Sequence, residues 1–201
     1  MILAIDPGTN KLGVALFTNS SHFLVAFSIQ AESKSPNRRE RSVYIINKLV
    51  DYVTELQPED LEIALEEPLL RGNSNKAMER LLGMIEFVFK NYLIHYYAPM
   101  TVKAAMGSGS FDKDQMYNAL IEVMPDNTRI EALKGDYDAV DAVCIGLTHF
   151  KKQKEKLNDS TNKQLPNSTK TKKRRLKAKT TFSKNKKRIT GTSSCKKKRK
   201  K

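Results

Sequence analysis

Met1-Ile2-Leu3-Ala4-Ile5-Asp6 is a short apolar run that ends on a carboxylate, and Pro7-Gly8-Thr9-Asn10 behind it is a turn. An apolar run of this length closed by Pro-Gly reads as a buried strand. Residues 12–17 and 23–29 are two further apolar runs, separated by Thr18-Asn19-Ser20-Ser21. Polar connections this short favour an antiparallel meander of three strands.

Beyond Ser35-Pro36-Asn37 the period changes. Val43, Ile46, Val50 and Val53 fall on one helical stripe with Leu49 and Leu56, while Arg38, Arg39, Glu40 and Lys48 stay polar. Gln57-Pro58 stops this helix, and residues 61–65 make a fourth strand that ends in Glu66-Glu67-Pro68. Asn73 and Asn75 offer caps for a second helix with Ala77, Leu81, Ile85 and Val88 as its apolar face. Residues 93–97 form a fifth strand. Residues 99–109 read as a loop with a helical turn around 102–106, residues 111–124 as a third helix, and residues 125–135 as a turn-rich connection. Residues 136–150 form the last helix, with Ala139, Ala142, Val143 and Leu147 apolar. Three hairpin-joined strands plus two reached by helical crossovers imply an α/β fold: a mixed five-stranded sheet, three strands antiparallel and two parallel, with helices on both faces.

Charge divides the 201 residues unevenly. The whole chain carries 36 Lys and Arg against 22 Asp and Glu, a net +14. Residues 151–201 hold 22 of the basic residues and 2 of the acids, so the first 150 residues are mildly acidic. The basic stretch has too little apolar surface to offset the entropy of ordering it. The expected organisation is one domain over residues 1–152 and a disordered Lys/Arg-rich tail over residues 153–201. No run approaches the length of a membrane span, so no membrane partner is expected. The opening strand pattern is unlike a signal peptide. Cys144 and Cys195 make neither a disulfide framework nor a zinc spacing, which points to a reducing compartment.

Asp6 stands at the carboxyl end of a buried strand, the edge at which open α/β sheets place their ligands. Glu66 and Glu67 reach the same edge if the fourth strand runs parallel to the first, and alternation lets only one of them face Asp6. Asp138 and Asp141, three apart, share a face of the last helix. Each acid alone has an ordinary explanation as a turn former, surface charge or helix-dipole partner. Together they would repel unless cations lay between them, and hard divalent ions such as Mg²⁺ take oxygen ligands of this kind.

These residues resemble the RuvC-type Holliday-junction resolvases of the ribonuclease H-like superfamily, which include phage and viral members. The resemblance rests on Ile5-Asp6-Pro7-Gly8-Thr9, Ala64-Leu65-Glu66-Glu67, Tyr97-Ala98-Pro99 with Val102-Lys103, Gly107-Ser108-Gly109 with Lys113, and Asp138-Ala139-Val140-Asp141-Ala142 with Leu147-Thr148-His149. It implies a ribonuclease H-like fold and metal-binding, catalytic acids at Asp6, Glu66, Asp138 and Asp141. It also implies basic residues near the scissile phosphate at Lys103 and Lys113, the latter catalytic, and two Mg²⁺ per site, with Mn²⁺ as a substitute. Glu67 takes a position that is often an amide in the family, and Asp136 reads as an N-cap. The resemblance further implies a homodimer, with the second helix as interface, that nicks two strands of a four-way DNA junction. The compartment would then be the cytoplasm of a bacterium or phage-infected cell, or the nucleus of a eukaryotic host. No helicase partner is legible.

Arg71 and Lys76, with Lys172, Lys173, Arg174 and Arg175 in the tail, are the remaining candidate DNA contacts. Lys186-Lys187-Arg188 and residues 196–201 are similar phosphate-attracting clusters, equally readable as solubilising or nuclear-targeting segments. An aromatic residue that some family members carry just beyond the strand-four Glu has no counterpart, since Pro68, Leu69 and Leu70 stand there. That departure keeps open a broader debranching nuclease acting on Y-forks and flaps. A non-enzymatic nucleic-acid-binding protein is a further alternative. An actin-like ATPase fits least, because 150 residues lack that fold's duplicated half. His22 and His95 read as structural, and the role of His149, two turns beyond Asp141 on the same helix, stays open.

Overall fold

Side-chain alternation along the first strand builds two core layers at once. In the computed structural model of the chain, which describes residues 1–20, 22–31, 37–58, 60–67, 76–125 and 127–163, β1 (Ile2–Asp6) is buried on both faces. Leu3 and Ile5 join one cluster, Ile2 and Ala4 the other. β1 pairs antiparallel with β2 (Lys11–Asn19), which pairs antiparallel with β3 (His22–Gln30). On its other side β1 pairs parallel with β4 (Glu62–Glu66), and β4 pairs parallel with β5 (Leu93–Tyr97). The sheet order is β3-β2-β1-β4-β5, the mixed arrangement that the hairpin and crossover connections imply.

One face packs against α1 (Arg38–Leu56) and α2 (Lys76–Val88). The other packs against α3 (Pro99–Met106), α4 (Lys113–Val123) and α5 (Tyr137–Lys163). The second face is built of small residues: Gly13 and Ala15 on β2, Ala4 on β1 and Ala64 on β4. Gly13 marks the closest approach, since a Cβ there would lie 1.9 Å from the Asp138 carbonyl oxygen. At the other end of the same contact, a Cβ on Gly146 would lie 2.2 Å from the Phe17 ring. Two glycines, one on each partner, therefore let α5 lie across the sheet, a use of strand glycine that depends on close backbone approach.

Several elements depart from the sequence expectation. Residues 99–106 form a full helix, because Pro99 stands in the first turn where its missing N–H costs nothing and Gly107, at φ 142°, ends it. A 3-10 helix occupies Thr128–Leu133 inside the turn-rich connection and buries Ile130 and Leu133. The buried stripe of α1 is Ser42, Ile45, Ile46, Leu49 and Val53, whereas Val43 and Leu56 are exposed. The period does not say which neighbour of an adjacent apolar pair faces inward. α5 does not stop at Phe150 but continues to Lys163, so residues 153–163, counted with the tail on composition, are helical. Lys, Gln and Glu sustain a helix already nucleated by packing, and Lys152 pairs with Glu155 at 2.8 Å within it. Residues 164–201 lie outside the described residues. No helix among those described is long and apolar enough to cross a membrane.

Candidate active site

Asp6 is the last residue of β1, with the same side-chain parity as Ile2 and Ala4, so its carboxylate projects toward α5. Glu66 ends β4 with the parity of Ala64 and projects the same way. Glu67 faces away and is exposed, its N–H donating to the Tyr97 carbonyl at 2.9 Å. Strand alternation thus settles which of the paired glutamates joins Asp6. Asp138 and Asp141 arrive from the first turns of α5, held against β2 by the Gly13 contact. All four acids are half-buried.

Their electrostatics report one cluster. Burial raises the Asp6 carboxyl well above the ordinary carboxylate range, and the charges of Glu66, Asp141 and Asp138 raise it further, against Lys113. Burial and the charge of Asp141 push Glu66 up to about 7, against Lys103. Asp141 is pushed up to about 6, by burial first, with Asp138 adding to the rise and Lys113 and Lys103 opposing it. Mutual repulsion and burial both disfavour the charged forms. The donors are hard carboxylate oxygens short of compensating positive charge, which fits a hard divalent cation.

Both predicted lysines lie at this cluster. Lys103 is half-buried and donates from Nζ to the Phe111 carbonyl at 2.7 Å, which ties α3 to the loop before α4. Lys113 opens α4 with its side chain 60% exposed, Nζ 3.8 Å from Asp138 Oδ1 and 5.6 Å above the Tyr137 ring. Asp112, just before it, forms a capping box with Gln115 and so fixes where the helix starts. Lys76 is exposed at the start of α2. Arg71, the Pro68-Leu69-Leu70 segment, the caps at residues 73–75 and the basic clusters at residues 172–175, 186–188 and 196–201 lie outside the described residues.

Lys11 was not anticipated. Its Nζ stands 2.8 Å from Asp136 Oδ1 and 3.3 Å from Asp138 Oδ2. Ser28 Oγ donates to Asp136 Oδ2 at 2.8 Å, and the Ala139 N–H reaches Asp136 Oδ1 at 3.4 Å. Asp136 is therefore the cap of α5 and also the pin that fastens it to β2 and β3. Burial alone would raise its carboxyl, but the bonds from Lys11, Ser28 and Ala139 outweigh that and hold it below the usual range. The clue lay in the turn: with Gly13 paired to Asp6, Lys11 shares the α5-facing parity of Gly13, Ala15 and Phe17. The three histidines lie away from the acids: His22 is exposed on β3, and His95 and His149 meet at the other end of the sheet.

The comparisons with known proteins bear on the family and the fold. The chain is 27% identical over 157 residues to the crossover junction endodeoxyribonuclease RuvC of Mannheimia succiniciproducens, spanning 74% of each. It is 28% identical over 156 residues to that of Pelodictyon phaeoclathratiforme, spanning 73% of this chain and 78% of the relative. Among solved structures, the Thermus thermophilus RuvC in complex with a Holliday junction substrate aligns with a TM-score of 0.57 at 20% identity, over 76% of this chain and 95% of that one. The fowlpox virus resolvase bound to Holliday junction DNA aligns at 0.51 and 15%, over 76% and 99%. Such identities speak for a shared fold, the ribonuclease H-like sheet with flanking helices. The family model for crossover junction endodeoxyribonuclease RuvC matches residues 2–149. A match that runs from the first strand to the histidine near the middle of α5 takes in the whole sheet and every described acid of the site, and the chain belongs to the RuvC family of crossover junction endodeoxyribonucleases.

Proposed function

We propose that this protein is a structure-specific DNA endonuclease that resolves four-way junctions by paired symmetric nicks. The observation that carries the proposal is the gathering of Asp6, Glu66, Asp138 and Asp141 from three separate elements into one half-buried cluster rimmed by Lys103 and Lys113. These four carboxylates would hold two Mg²⁺, or Mn²⁺ in their place, which would supply the Lewis acidity that phosphodiester hydrolysis needs. Water adds to phosphorus, the bond to the 3′ oxygen breaks, and the products are a 5′ phosphate and a 3′ hydroxyl. The exposed Lys113 ammonium attracts the scissile phosphate and opposes the negative charge that grows there. Lys103, tied to the loop before α4, holds a second positive charge at the rim. Lys11 and Asp136 touch no substrate in this reading; they position Asp138 by fixing the start of α5.

Two cuts across a two-fold junction call for two copies of the site. A homodimer through α1 and α2 is supported by the open groove between them, where Val43 and the 72%-exposed Phe87 present apolar surface beside Arg38, Arg39 and Arg80. The departure at Pro68-Leu69-Leu70 favours a second reading, cleavage of Y-forks and flaps as well as junctions. End-labelled four-way junctions, Y-forks and linear duplex incubated with Mg²⁺ and resolved to single nucleotides separate these readings. Paired nicks on the four-way junction alone are expected. Cutting of every branched form supports the debranching nuclease, and tight binding with no cutting in Mg²⁺ or Mn²⁺ leaves a nucleic-acid-binding protein.

A further inference from the structure

The face of the sheet that carries the four acids holds a second set of ligating groups at its far end. Glu62 opens β4 with the parity of Glu66, so their backbone positions stand about 13 Å apart along one strand at 3.3 Å per residue. His149 lies on α5 about 12 Å beyond Asp141 along the helix axis. The register of β5 sets His95 beside Ala64. His95 Nε2 is 2.8 Å from Glu62 Oε2, and His149 Nε2 is 3.7 Å from the same oxygen. One ligand atom from each of the three residues lies within 4.8 Å of the others.

His149 makes this more than a chance meeting of polar groups. Its side chain is fully buried, yet its Nε2 has no hydrogen-bond partner among the described residues. At 3.7 Å the Glu62 carboxylate is beyond hydrogen-bond range, and an unsatisfied buried polar atom is costly. The other ring nitrogen, Nδ1, is engaged by the Tyr97 hydroxyl at 3.0 Å. When Nδ1–H donates to the phenol oxygen, the Nε2 lone pair faces a carboxylate with no positive charge between them.

We propose that Glu62, His95 and His149 form a transition-metal site for one Zn²⁺, joining β4, β5 and α5 at the end of the sheet away from the acids. Two imidazoles and a carboxylate suit zinc, whereas Mg²⁺ prefers the all-oxygen cluster at the other end. Ligand atoms about 2.1 Å from a tetrahedral zinc sit about 3.4 Å from one another, between the two separations found here. The outer bonds such a site needs are present: Tyr97 on His149 Nδ1, and Gln153 Nε2 at 3.4 Å from Glu62 Oε2. Glu62 and His95 are partly exposed, which leaves a route for the ion and room for a water as fourth ligand. The site is structural. It fastens α5, whose first turns carry Asp138 and Asp141.

The full-length protein, stripped of metal and kept in excess Mg²⁺ to saturate the acids, is titrated with Zn²⁺ against a chromophoric zinc chelator and followed by thermal unfolding. One Zn²⁺ per chain and a zinc-dependent rise in the unfolding midpoint are expected. Loss of an outer-shell partner alone commonly weakens metal binding 10–100-fold, so His95→Gln and Glu62→Gln should each weaken zinc by more than about tenfold and remove the midpoint shift. Asp6→Asn should bind zinc as the wild type does. Because His95 and Glu62 are partly exposed, these variants keep the fold that a change at buried His149 endangers. The proposal is overturned by wild-type zinc affinity in either variant, by zinc lost in Asp6→Asn, or by no binding at micromolar Zn²⁺.

Discussion

Asp6 is held where a carboxylate is least comfortable, half-buried among three other acids, and this has two measurable consequences. Without a divalent cation the cluster favours protons, since burial and neighbouring charges raise Asp6 well above the ordinary range, Glu66 to about 7 and Asp141 to about 6. Groups whose folded pKa exceeds the unfolded one stabilise fully below the unfolded value, and that stability is lost as pH rises through the folded value. The metal-free protein should therefore lose stability from about pH 4 to about pH 7 on account of these acids. His149, pushed down to about 4, acts in the opposite sense over pH 4 to 6.5. The informative quantity is thus the difference between the wild type and Asp6→Asn, which leaves His149 alone. Thermal midpoints in chelator should show the variant gaining on the wild type as pH rises from 5 to 7.5, and saturating Mg²⁺ should reverse the order; a constant difference would mean that the acids are not coupled. For the same reason Asp6→Asn should cut junction cleavage by more than about a hundredfold, the scale of losing one preorganised electrostatic group. Junction affinity, read by gel shift in Ca²⁺, should stay within a few-fold, because removing a negative charge near a phosphate does not weaken binding.

α5 does the most for the site, and Gly13 shows how. With the Asp138 carbonyl oxygen 1.9 Å from where a Cβ would stand, Gly13→Ala must push the start of α5 away from β2. Overpacking of a close backbone contact costs roughly 1–3 kcal/mol, readable as a shift of the urea midpoint. Misplacing Asp138 and Asp141 by about 1 Å should slow cleavage about a hundredfold. Ala15→Gly, on the same strand face, should lose stability without a comparable loss of rate; if the two variants slow cleavage equally, the contact is not what sets the acids. Much at this scale was legible from local rules. Strand alternation fixes Glu66 over Glu67, and i,i+3 spacing puts Asp138 beside Asp141. What was not legible depends on registers between elements. Lys11 reaches Asp136 and Asp138 only because β2 pairs with β1 at Asp6 and Gly13. The Glu62–His95–His149 group needs the β4–β5 register and the angle of α5 together. The choice of Ile45 over Val43 in α1 needs to know where the sheet lies, and the continuation of α5 to Lys163 draws on packing further up the helix.

The molecule as a whole joins an acidic folded body to a basic extension, a division of charge that predicts separate contributions to DNA binding. Pairing of two bodies through the α1–α2 groove predicts that Phe87→Asp, at a side chain 72% exposed in the single chain, lowers the unfolding midpoint by no more than dimerisation contributed and removes its dependence on protein concentration. The same variant should convert a dimer to a monomer by light scattering and turn paired junction cuts into single nicks. Residues 1–163 carry 19 Lys and Arg against 22 Asp and Glu, so the body repels a polyanion except at local clusters such as Lys103 and Lys113. Residues 164–201 carry 17 Lys and Arg and no acid. Each phosphate neutralised by a basic side chain contributes about −0.9 to the slope of log K against log salt on duplex DNA. A truncation after Lys163, placed there because α5 runs that far, should flatten that slope by several units and weaken binding at physiological salt. Such contacts position without reading sequence, so the loss should be equal on junction and linear duplex. Cleavage of the junction at low salt should survive, since the acids and the lysines at their rim are intact. An unchanged slope would assign the extension to something other than DNA. A loss confined to the junction would give it a part in recognising branch shape, which attraction to phosphate alone does not confer.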